Sequence, residues 1–372
     1  MPGPLAGIRA VELAGIGPGP FAGMMLADHG AEVIRVERPG AIPGPVALDR
    51  SRRSIAIDLK SPEGIAVVRD LCRTADALIE GYRPGVLERL GLGPAVLLSD
   101  NPKLVYGRMT GWGQDGPLAH APGHDIDYIA VAGLLDGIGA PGEPPPPPVN
   151  YIGDFGGGAM MLCFGMVAAL LHVRGGGDGQ VVDAAMTDGA SMLASMSWAF
   201  RAAGMWRDGP GTNLLTGAAP FYATYSCADG KAIAVGAIEP QFYAALLRGL
   251  ELTHDPLFAR QMDSGAWPAM KARLAQVFAT RPRDAWEFEA DACVAPVLTL
   301  DEAAAHPHNV ARGTFVEVGG NLAPAPAPRY SATPCAAPRA AVAAGSDTHA
   351  VLRDLGYDED HINRLRTSGA IG

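Results

Sequence analysis

Positive charge is in short supply in this 372-residue chain, with 29 Lys and Arg against 39 Asp and Glu and a net charge of −10. A balance of that sign argues against bulk nucleic-acid binding. Cysteine is also scarce: Cys72, Cys163, Cys227, Cys293 and Cys335 lie far apart, with no Cys-x-x-Cys pair. An odd set at such spacing fits neither a disulfide framework nor a thiolate zinc site. No charged start followed by an apolar core opens the sequence. No run of about 18 apolar residues escapes interruption by Gly, Ser or a polar residue. The expectation is a cytoplasmic protein without a membrane segment. The His/Glu metalloprotease motif, the G-x-S-x-G elbow, the phosphate-binding Walker loop and tandem repeats are all missing.

What is present is a rhythm. "IRAVELA", "AEVIRVERP", "DALIEGY" and "LVYGRMTG" read as short apolar strands. They alternate with the helical patterns "FAGMMLADHG", "EGIAVVRDLCRTA" and "PGVLERLGLG". Strand–helix alternation predicts a parallel, doubly wound α/β sheet. The run "PGEPPPPPV" (141–149) predicts an exposed polyproline spacer. "NYIGDFGGGAMMLCFGMVAALLHV" predicts a turn and then a long apolar helix, buried in the core or at a subunit contact. "FYATYSCADGKAIAVGAI" predicts a hairpin turned at Ala228–Gly230. Two short helices close the chain in "THAVLRDLGYDEDHINRLRTSG".

Three features carry candidate chemistry. Gly15-Ile16-Gly17-Pro18-Gly19 stands between a strand and a helix with Glu37 downstream, a partial match to a dinucleotide fingerprint. Two prolines and a misplaced third glycine weaken it. Asp154 precedes Phe155 and three glycines. It is either a helix N-cap or a carboxylate beside bare backbone N–H groups able to stabilise an oxyanion. His124, in "PGHDIDYIA", sits where a loop hands over to a helix. It is either structural or one of two acid/base groups, with Asp127 or Glu239 as its orienter. Residues 35–53 hold five arginines (Arg35, Arg38, Arg50, Arg52, Arg53) against Glu37 and Asp49. Lys60, Arg83 and Arg89 follow. These are either surface scatter or a site for a compact anionic ligand.

The blocks "LAGIGPGPFAGMMLADHGAEVIRVERP", "DLKSPEG", "EGYRPGVLERLGLG", "YGRMTGWGQDGP", "GHDIDY", "GDFGGG", "QVVDAAMTDG" and "VGAIEPQFY" resemble, in matching order, the α-methylacyl-CoA racemases of the family III CoA-transferase superfamily. The resemblance implies a 2-methylacyl-CoA thioester inverted at C2 with no metal or redox cofactor, CoA being part of the substrate. It implies that His124 and Asp154 are the two proton-transfer residues and that Glu239 is a carboxylate associated with the histidine. The CoA site would be lined by Arg38, Ile57, Asp58, Leu59, Lys60, Gly81, Tyr82, Arg83, Arg89, Gly123, Asp125, Ile126, Asp127 and Tyr128.

The family's fold implies a Rossmann-like large domain over 1–190, completed by about 326–372, and a small α+β domain over 221–300. Linkers over 191–220 and 301–325 would join them in an interlocked homodimer whose active site lies between chains. The rivals are a family III CoA transferase using Asp154 as nucleophile, a catalytically silent acyl-CoA binder and an NAD-dependent dehydrogenase.

Overall fold

The computed structural model describes residues 2–42 and 47–372. The chain forms two compact units. One comprises Met1–Ala132, Val149–Ala194 and His308–Gly372; the other comprises Gly133–Pro148 and Ser195–Pro307.

The first unit is built on six parallel strands: β1 (Arg9–Leu13), β2 (Glu32–Glu37), β3 (Arg53–Ala56), β4 (Ala77–Glu80), β5 (Val105–Thr110) and β6 (Val181–Ala185). Their order in the sheet is β3-β2-β1-β4-β5-β6, so the winding reverses between β1 and β4. In such sheets a ligand binds beyond the carboxyl ends of the strands, at that reversal.

Alternate residues of each strand enter opposite cores. Val11, Leu13, Ile34, Val36, Ile55 and Leu78 face one side, with Val67 and Leu71 of the Pro62–Thr74 helix and Leu352 and Ile362 of the two closing helices. Ala10, Val33, Ile79 and Met109 face the other side. There they meet Ala22 and Leu26 of α1 (Pro18–Asp28) and Leu162 and Met166 of the apolar helix Met160–Arg174. Burial on both faces explains why the strands read as continuous apolar runs rather than alternating ones. β3 was not legible as a strand, being four residues long and opened by Arg53. The chain end seals that edge: Asp58 N–H donates to Ala370 O at 2.9 Å and Gly372 N–H to Ala56 O at 3.1 Å.

In the second unit β7 (Tyr222–Ser226) and β8 (Ala232–Gly236) form the expected antiparallel hairpin, and β9 (Val294–Pro296) joins it. Phe221, Tyr225, Leu246, Leu274 and Phe278 fill its core. Residues 301–325, read from sequence as a linker, hold helices Leu300–Ala305 and Pro307–Arg312 and a hairpin of Phe315–Val318 with Asn321–Pro324. Residues 191–220 likewise include a helix, Ser195–Ala202.

The apolar helix is buried in the core on one face: Leu162, Cys163, Met166 and Leu170 face the core, while Phe164 and Leu171 are each 74% exposed. Its start is earlier than "GDFGGG" implied. The chain is already helical at Val149–Tyr151 and continues through a π-helical stretch, Ile152–Ala159.

Candidate active site

The cations implied for CoA binding lie just past the strand ends. Arg38 follows β2, Lys60 follows β3, and Arg83 and Arg89 follow β4; all four are exposed. The wider positive excess over 35–53 is not a ligand surface. Arg35 pairs with Asp49, Arg50 with Asp28, and Arg52 with Glu12 at 2.8 Å, all buried. Arg53 bonds Glu32 and Asp354, each at 2.8 Å. A window count missed Glu12, Asp28, Glu32 and Asp354 because they lie outside it.

Loop 81–89 is anchored from below. Glu80, fully buried at the end of β4, accepts the Tyr82 N–H at 2.7 Å and Arg108 Nε–H of β5 at 2.9 Å. Arg108 also reaches Glu88 at 2.9 Å. A buried, hydrogen-bonded ion pair of this kind fixes the backbone that presents Gly81, Tyr82, Arg83 and Arg89. Ile57 is buried and therefore packs beneath the site, whereas Asp58 and Leu59 are half-buried.

His124 is the N-cap residue of α2 (Asp125–Val131) and is exposed. Asp127 accepts the main-chain N–H of His124 at 2.9 Å, which is half of a capping box. The question of an orienter is thereby partly answered: Asp127 positions the backbone of His124 rather than its ring. Below it, Tyr128 is buried, bonds Gly123 O through its hydroxyl and meets the Trp112 ring edge-on at 4.8 Å. A Cβ at Gly111 would lie 2.2 Å from that tyrosine ring, so only glycine admits it there.

Asp154 is not an N-cap. It lies inside the π-helical stretch, and its own N–H donates to Asp125 Oδ1 at 2.7 Å. Its carboxylate accepts Nδ2–H of Asn150 at 3.0 Å, one helical turn back. The turn before α1 closes on it from another side: a Cβ at Gly17, which has φ 66°, would meet Asp154 Oδ2 at 3.2 Å. Gly17 of the fingerprint-like motif thus leaves room for a carboxylate. Phe21 of α1 stacks on Phe155 at 4.6 Å.

Within the glycine run after Asp154, Gly157 and Gly158 are buried against α3 (Met186–Leu193). A Cβ at Gly157 would stand 2.5 Å from Ala190 N, and one at Gly189 would stand 1.8 Å from Gly157 O. Close backbone approach requires glycine at Gly157 and Gly189. π-Helical stretches of this kind occur frequently at functional sites.

The environment of Asp154 sets its acidity. Burial pushes the carboxyl above its usual range, and the charge of Asp125 pushes the same way. The Asn150 amide and His124 oppose them. Asn150 was missed in the sequence, where only its spacing of four residues from Asp154 on a helix marks it. Replacing Asn150 by alanine removes a donor to the charged form, so the Asp154 pKa rises further. The acid limb of a kcat/KM–pH profile should move to higher pH; an unmoved limb would remove Asn150 from this account.

Glu239 stands in the second unit as the N-cap residue of helix Pro240–Gly249, exposed and with its side chain unused as a cap. Among the described residues no cluster of His, Cys, Asp and Glu is arranged to hold a metal ion.

The fold is a doubly wound α/β sheet with exposed cations following its strands and a histidine and an aspartate on adjoining helices. The chain belongs to CoA-transferase family III, whose sequence model matches residues 5–348. It is 48% identical to alpha-methylacyl-CoA racemase of Mus musculus over 98% of this chain and 96% of that protein. To alpha-methylacyl-CoA racemase of Homo sapiens it is 44% identical, over 99% and 97%. Succinyl-CoA–D-citramalate CoA-transferase of Chloroflexus aurantiacus is 32% identical over 100% of this chain and 98% of that protein. The crystal structure of a CAIB/BAIF family protein from Brucella suis superposes with a TM-score of 0.82 at 26% identity, covering 95% of this chain and 100% of that one.

Proposed function

We propose that this protein is an α-methylacyl-CoA racemase, inverting C2 of 2-methylacyl-CoA thioesters by proton transfer between His124 and Asp154. The observation that carries the reading is the juncture of α2 with the Asp154 helix. One N–H···O bond of 2.7 Å, from Asp154 to Asp125, joins the residue after His124 to Asp154 itself. His124 is close enough for a charge on it to lower the pKa of Asp154.

On this reading one base takes the C2 proton and the electron pair passes to the thioester oxygen as an enolate. The other base returns a proton to the opposite face, so each turnover leaves the pair with its roles exchanged. Two acid/base groups that exchange roles suit this work in both directions. Arg38, Lys60, Arg83 and Arg89 would hold the phosphates and adenine end of CoA. CoA leaves as part of the product, so no separate cofactor is needed.

Glu239 is assigned as the partner of the histidine by resemblance to the family. The working form is proposed to be a homodimer, which would cover the exposed apolar face of Met160, Phe164, Val167 and Leu171, and the active site is proposed to lie between chains.

The relatives named as CoA transferases favour a second reading, in which Asp154 attacks the thioester. Incubation of a single epimer of a 2-methylacyl-CoA, with and without a free carboxylic acid, separates the two. Drift toward an equal mixture of epimers without an acceptor supports racemisation. A new acyl-CoA formed only with the acceptor would replace it by transfer.

A further inference from the structure

The link between α2 and the Asp154 helix runs through a carboxylate that neither base supplies. Asp125 is 6% exposed and is the first residue of α2, next to His124. Its Oδ1 accepts the Asp154 N–H at 2.7 Å across 29 residues of sequence. Its Oδ2 is buried without a hydrogen-bond partner among the described residues. The fit is tight on the far side too: a Cβ at Gly153 would lie 2.7 Å from Asp125 Oδ1 and 3.2 Å from its carbonyl oxygen. A buried carboxylate with one oxygen unsatisfied is costly, and such a group calls for a compensating role.

We propose that Asp125 is a positioning residue for the proton-transfer pair: its carboxylate tethers the backbone of Asp154 to the helix that begins at His124 and sets a second carboxylate, a charge bias, beside that of Asp154. This deepens the two-base reading and rests on it. The tether fixes the separation of the two bases, which must flank one carbon, and displacements of about 1 Å in such sites cost up to about 100-fold in rate. The bias is electrostatic. Two carboxylates in a partly dry site disfavour double ionisation, which raises the pKa of Asp154.

The other groups facing Asp154 are His124 and the buried Tyr128 on α2 and Asn150 on its own helix. From α1 come Gly17, in the turn before it, and Phe21, which carry no charge, and α3 meets the adjoining turn through Gly189 and Ala190.

Asp125→Asn and Asp125→Ala separate tether from charge. Asparagine keeps an oxygen able to accept the Asp154 N–H but removes the negative charge. The acid limb of its pH profile for epimer interconversion should be displaced to lower pH. Alanine removes both, and kcat should fall about 10- to 100-fold with KM for the acyl-CoA little changed. Thermal melts of both variants show whether a loss follows unfolding; if Asp125→Ala does not fold, the displaced limb in Asp125→Asn carries the test.

An unmoved acid limb in Asp125→Asn overturns the charge bias. Wild-type kcat in folded Asp125→Ala overturns the tether. Equal losses in both variants, in step with melting temperature and without a pH shift, reduce Asp125 to a structural residue and overturn the proposal. Wild-type protein that exchanges no α-proton sinks the two-base reading as well, a result distinct from all of these.

Discussion

Replacing His124 by alanine is expected to slow epimer interconversion by about 10²–10⁴-fold while sparing proton exchange on one face. His124 is exposed, its ring is not used to cap α2, and its backbone is held by Asp127. Its loss should therefore leave the fold and Asp154 in place. The epimer whose C2 proton faces Asp154 can still be deprotonated and reprotonated there, so in deuterated buffer it should take up label with retention of configuration. The opposite epimer should be inert. Asp154→Ala should give the mirror result. Comparison of deuterium content and configuration for each epimer, in each variant, reads this directly. Loss of exchange in both epimers on removal of His124 alone would show that the residues do not act on separate faces.

The second large effect is on stability and concerns Arg52. Its guanidinium lies 2.8 Å from Glu12, donates to Pro20 O at 2.7 Å and also bonds Leu48 O, with 2% of its side chain exposed and Glu12 wholly buried. Arg52→Ala would leave Glu12 in the interior with Arg35, 3.8 Å away, as its nearest remaining cation. Removing one partner of a buried ion pair typically costs about 3–5 kcal/mol, because the other charge stays buried. Denaturant unfolding of the variant should show a loss of that size. A loss under about 1 kcal/mol would mean that water or local rearrangement rehydrates Glu12. The consequence reaches the site, since the Pro20 carbonyl belongs to the first turn of α1, whose preceding Gly17 packs beside Asp154.

The parallel sheet was legible because β1, β2, β4 and β5 are short, largely apolar runs that alternate with helical patterns, although each also carries a charged residue. The antiparallel hairpin was legible from its turn at Ala228–Gly230. The exposed cations Arg38, Lys60, Arg83 and Arg89 were singled out by the local charge count and by the family resemblance. What escaped depends on residues remote in sequence. Arg50 and Arg52 could not be told from ligand cations because Asp28 of α1 and Glu12 of β1, which neutralise them, lie 22 and 40 residues earlier in the chain. Asp154 looked like a cap because glycines after an aspartate usually mean a helix start. Here they mean close packing on Gly189 and Ala190 within a helix already under way. Asp125 carried no mark of its tether, because no local pattern announces a bond to a residue 29 positions later.

The central claim is that C2 is approached by two bases, His124 and Asp154, from opposite faces. The measurement that tests it most directly is the isotope content of both epimers early in the reaction, starting from one pure epimer in deuterated buffer. The account predicts that the inverted product carries one deuteron from its first appearance while recovered starting epimer remains almost wholly protiated. Product that retains the original protium would mean one base serving both faces, and no inversion at all would contradict the racemase reading itself.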